Sequence, residues 1–71
     1  MIKSVIKNQE NAVTNVAHFE NIEQVNTWET NNLVHFPENY SRVDTDYTEI
    51  PENEWPEDVT IAKRRIEVEG L

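Results

Sequence analysis

The sequence predicts an α+β fold of β-β-α-β-β order, in which one helix packs on a mainly antiparallel sheet. Two observations lead there. Apolar residues recur at helical spacing most plainly from Phe19 to Leu33, and the runs on either side of that segment are short, β-branched and bounded by asparagine or proline. Ile2 to Lys7 (IKSVIK) reads as a first strand with Ile2 and Ile6 on one face, because side chains alternate across a strand. Asn8 to Asn11 is a polar turn, and Ala12 to Phe19 (AVTNVAHF) is the second strand of an opening hairpin. The chain has nine Asn and one Gly, so asparagine is expected to supply the positions of positive φ.

In the helix, Ile22, Val25 and Trp28 fall on one side, with Phe19 entering beside them. Asn21 suits the N-cap, Gln24 can reach back as its reciprocal partner, and Glu23 meets the favourable end of the helix dipole. Asn31 and Asn32 would end it in the left-handed conformation. Leu33 to Phe36 is a brief strand or an anchor, stopped by Pro37. Val43, Thr45 and Tyr47 alternate with Arg42, Asp44 and Asp46 as a half-exposed strand, and Pro51 and Pro56 bracket a loop. The run from Val59 to Glu69 shows helical spacing at Val59, Ala62 and Ile66, but its β-branched, alternating composition favours a last strand.

Seventy-one residues, 37 % of them apolar, make one domain with a thin core that a second copy or a larger partner would relieve. Without cysteine there is no disulfide, thiolate metal site or cysteine nucleophile. No apolar run is long enough to cross a bilayer, so the expectation is a cytoplasmic protein with no membrane partner. Asn39-Tyr40-Ser41 matches a glycosylation acceptor by chance.

The net charge of −8 is uneven: residues 38–58 hold eight acids against Arg42 alone. Three cations at Lys63, Arg64 and Arg65 do not offset that balance, so direct nucleic-acid binding is not expected. With Gly70 as the sole glycine there is no phosphate-cradling loop or nucleophile elbow; the serines, histidines and acids form no recognisable catalytic set, so no enzymatic activity and no cofactor are expected. His18 and His35, each before a phenylalanine, would offer two imidazoles to a metal if their strands paired, with Glu20 or Glu38 assisting. Asp44-x-Asp46-x-Thr48 begins like a calcium loop but has Glu49 where glycine is needed and Trp55 where a bidentate glutamate is needed.

The acidic segment is therefore the expected interaction surface, with Tyr40, Asp44, Asp46, Tyr47, Glu49, Glu52, Glu54 and Trp55 as its contact residues. The expected function is a non-enzymatic module docking on a basic protein partner, as an inhibitor or a mimic of nucleic-acid phosphates. A self-assembling homodimer and a weak metal-binding protein are the alternatives, and ordinary solubilising charge competes with all three. Trp55 either folds back over the core or stands out as an anchor.

Overall fold

A computed structural model describes residues 1–70; Leu71 lies outside the described residues. Strand β1 (Ile2–Lys7) forms the centre of a three-stranded antiparallel sheet, with β2 (Val13–Phe19) on one side and β3 (Ser41–Asp46) on the other. Both outer strands run antiparallel to β1 and hence parallel to each other, so helix α1 (Ile22–Asn31) carries the chain across the sheet from one edge to the other. A second helix, α2 (Glu57–Glu69), follows β3. Two single 3₁₀ turns, Leu33–His35 and Glu52–Glu54, interrupt the connections.

The hairpin turn works through asparagine. The Asn8 side-chain oxygen accepts from the backbone N–H of Glu10 and Ala12 at 2.9 and 3.0 Å, and Asn11 takes φ of 66°. Asn39, at φ of 53°, plays the same part before β3. The register slips by one residue between Ile6 and Lys7, where Val13 to Asn15 of β2 bulge and the Thr14 hydroxyl donates to the Ile6 carbonyl.

The register places Ile2, Ser4 and Ile6 on one face beside Phe19, Ala17 and Asn15 of β2 and Asp46, Asp44 and Arg42 of β3. Helix α1 lies over this face. Val25, Ile6, Val59 and Ser4 are fully buried and Ile2 nearly so. Each of these aliphatic side chains contributes roughly 1.5 to 3 kcal/mol on leaving water, which is a small core. Ser4 is tolerated there because its hydroxyl donates to Asp44 at 2.7 Å.

Around the core runs a chain of rings. Phe19 and Trp28 lie 5.4 Å apart, Trp28 and Phe36 5.1 Å, and Phe36 and Tyr40 5.1 Å, joining β2, α1, the first 3₁₀ turn and the entry to β3. Trp28 is only half-buried, and Ile22 is 45 % exposed, so Val25 is the residue of α1 that reaches the interior.

Four expectations need correction. The C-terminal run is a helix, so the order is β-β-α-β-α and two helices accompany the sheet. Proline at its N-cap and Glu57 and Asp58 in its first turn suit a helix start. Burying Val59, with Ala62 and Ile66 half-buried, outweighs the few tenths of a kcal/mol by which each β-branched residue disfavours a helix. Of the two readings of Leu33 to Phe36 the strand falls, since Leu33–His35 is a 3₁₀ turn, while Phe36 anchors the segment against Trp28 and Tyr40. Helix α1 does not end in a left-handed residue: Asn32 has φ of −123°, and its side-chain amide instead donates to the Trp28 carbonyl at 2.8 Å. Asn21 does cap Gln24, but the returning Gln24 side chain takes the N–H of Glu20 rather than that of Asn21.

Candidate interaction surface

The first acid of the loop, Asp46, is held by the turn that follows it. After β3, the Asp46 carboxylate accepts from both the backbone N–H and the hydroxyl of Thr48, at 2.9 and 2.6 Å, and these bonds hold its carboxyl below the usual range. The Tyr47 N–H donates to the Met1 carbonyl, continuing the β1–β3 pairing by one residue. Pro51 then opens the 3₁₀ turn Glu52–Glu54, and Trp55 closes it.

Trp55 folds back. Its indole N–H donates to the Ile50 carbonyl at 2.7 Å, its ring lies 6.2 Å from that of Tyr47, and the Lys63 ammonium stands 5.5 Å over it. Lys63 also pairs with Glu52 and, one helical turn on, with Glu67; the Glu52 hydrogen bond is the main cause raising the Lys63 pKa above the usual lysine range. Met1, Ile50, Trp55, Lys63, Ile66 and Glu67 line a shallow open groove at this end of the sheet.

The eight residues singled out in the sequence thus fall into two groups. Asp46, Tyr47, Glu49, Glu52, Glu54 and Trp55 share the loop. Asp44 and Tyr40 belong elsewhere: Arg42 bridges Asp44 to Glu29 at 3.0 Å each, and the Tyr40 hydroxyl donates to Glu29 at 3.0 Å. Burial, followed by that carboxylate, raises the Tyr40 pKa above the usual tyrosine range. Among the described residues, Glu49, Glu54 and Glu57 have no cation within ion-pair distance.

No protein-family model matches the chain, and none of the curated proteins or solved structures matches it.

Two side chains that no motif marked prove to be joints. Asp58, in the first turn of α2, accepts from Lys3 at 2.9 Å and lies 2.7 Å from the His18 ring. The Lys3 hydrogen bond, followed by that of His18, keeps its carboxyl below the usual range. Lys63 is the other. The helical spacing of Val59, Ala62 and Ile66 was the signal that would have found both, since it puts Asp58 and Lys63 on a helix rather than on a strand. Lys63 meets the acidic segment from a helix to a turn.

The two-histidine site lacks its scaffold. His35 lies in a 3₁₀ turn, so no strand pairing aligns it with His18, whose ring is engaged by Asp58. Asp44 and Asp46 are committed to Arg42, Ser4 and Thr48. Among the described residues no group of three His, Asp or Glu side chains is placed to hold a metal ion, and no helix is long and apolar enough to cross a membrane.

Proposed function

We propose that the chain is a non-enzymatic acidic interaction module whose loop between Asp46 and Asp58 docks on a basic surface of another protein. One observation carries this: three of the chain's six cations, Lys3, Arg42 and Lys63, are spent on internal pairs, while Glu49, Glu54 and Glu57 stand without partners within nine residues of each other. The loop that bears Glu49 and Glu54 is pinned by the Thr48 turn and by Trp55, and Glu57 opens α2, so little ordering entropy is lost when a partner engages them. Rows of carboxylates on a fixed loop can stand in for phosphates, and inhibition of a nucleic-acid-binding protein is the specific form this would take.

Such attraction acts between exposed charges and is screened over about 8 Å at physiological ionic strength. The test is affinity capture with the full chain at low and high salt, in parallel with the triple variant Glu49→Gln, Glu54→Gln, Glu57→Gln. A partner with a basic surface, held at low salt and lost at high salt and by the variant, is expected. Retention by the variant, or indifference to salt, would remove the basis for the assignment.

A further inference from the structure

We propose that the outer edge of β2 is a self-association surface on which a second copy of the chain pairs antiparallel about Val16, extending the sheet from three strands to six. The backbone alternation makes this edge available. The Tyr47 N–H donates to Met1, so the odd residues of β1 direct their backbone groups toward β3 and its even residues toward β2. Opposite those even residues stand Phe19, Ala17 and Asn15, which leaves the N–H and C=O of Val16 and His18 pointing outward. Among the described residues no backbone hydrogen bond reaches them from another element.

Natural sheets blunt such an edge with charge, proline or a covering segment. The far edge, β3, has Asp44 and Asp46, and a second β3 laid against it would bring carboxylates together. Strand β2 (VTNVAHF) has none of the chain's fourteen acids and no proline. The nearest ionisable side chains on its Val16 face are Lys3, Lys7 and His18, by register, together with the Asp58 that Lys3 and His18 share. On a chain of net charge −8, this is a strip where two copies meet without apposing acids.

The valines fix the register. Val16, Val5 and Val43 form one row across the three strands on the face away from α1, and Val16 and Val43 remain 47 % and 46 % exposed. Pairing centred on Val16 sets each Val16 against its counterpart in a hydrogen-bonded pair and joins the two rows into one of six valines. Centring on Ala17 would set Val16 against His18 and break the row.

Association of two chains of charge −8 is opposed by long-range repulsion, so salt should strengthen it, the reverse of its effect on acidic docking. Sedimentation velocity of the full chain across a concentration series, at low and high salt, should show a dimer that grows with both. Val16→Lys should give a monomer, whereas Val43→Lys, in the same row at the far edge, should leave the dimer intact. A parent that stays monomeric, a Val16→Lys dimer, or equal loss in both variants would overturn the assignment. Should Val16→Lys fail to fold, amide exchange in the parent decides: protection of the Val16 and His18 N–H groups must rise with protein concentration, and concentration-independent exchange refutes the pairing.

Discussion

Trp28→Ala tests whether the ring chain, rather than the small aliphatic core alone, holds α1 to the sheet. Complete burial would make removal of a tryptophan cost about 3 to 5 kcal/mol. Trp28 is half-buried, which takes the transfer part to about half of that, but two ring pairs at 5.4 and 5.1 Å are lost with it, each contributing roughly 0.5 to 1.5 kcal/mol. The sum is about 4 kcal/mol, against a total stability of roughly 4 to 10 kcal/mol for a domain of this length. With a urea slope of about 1 kcal/mol/M, the midpoint should fall by about 4 M. Far-UV circular dichroism is the right probe, because the substitution removes one of the chain's two tryptophans and confounds fluorescence. Trp28→Phe keeps a ring and should lose about half as much. A midpoint within about 0.5 M of the parent's would show that Val25 anchors α1 unaided and that the ring chain is surface decoration.

Trp55→Ala should lower stability by about 1 to 2 kcal/mol, since it removes the Tyr47 contact and the seat of the Lys63 ammonium; a melting temperature equal to the parent's would instead make Trp55 an anchor for a partner. Acid should destabilise the fold through Asp58. Because its folded pKa is depressed, chiefly by Lys3 and then by His18, the stabilisation is complete above the ordinary carboxylate range near pH ~4 and is lost as pH falls through the depressed value. Asp58→Asn should therefore flatten the acid limb of melting temperature against pH, without abolishing it, because Asp46 is depressed too; an acid limb parallel to the parent's would refute the linkage.

The hairpin, the Asn21 cap and β3 were legible because each rests on local chemistry: alternation, an N-cap side chain, asparagine where φ is positive. What failed depended on distant partners. Val59 to Glu69 satisfies both periods, and the choice between them was made by the burial of Val59 and the Asp58 contacts, neither of which composition records. His18 and His35 look alike in sequence because each precedes a phenylalanine, yet Pro37 and the end of α1 turn one of them into a 3₁₀ segment. Among the eight acidic and aromatic residues, Asp44 was separated from the rest by Arg42. A strand residue whose cross-sheet neighbour is Ser4 faces inward toward α1, and only the register reveals that.

The paired cations explain why the remaining acids stand out. Lys3 ties β1 to α2, Arg42 ties β3 to α1, and Lys63 ties α2 to the 3₁₀ turn at Glu52, so each joins two separate elements. Ion pairs this exposed contribute between zero and about 1 kcal/mol each, and their effect is to fix where helices sit more than to raise stability. Asp44, Asp58, Glu29 and Glu52 are accounted for by those joints. Among the described residues Glu10, Glu20, Glu23, Glu38 and Glu69 also lack a cation but are spread along the chain, whereas Glu49, Glu54 and Glu57 fall within nine residues, and of these Glu57 also serves the first turn of α2. Charge serving solubility alone could be scattered over any exposed position, and the exposed faces of both helices offer many. Its concentration within nine residues, on a loop tied down by the Asp46 and Trp55 hydrogen bonds and on the helix start that follows, adds local repulsion to the folded state. On the proposed reading, a basic partner surface would compensate that cost.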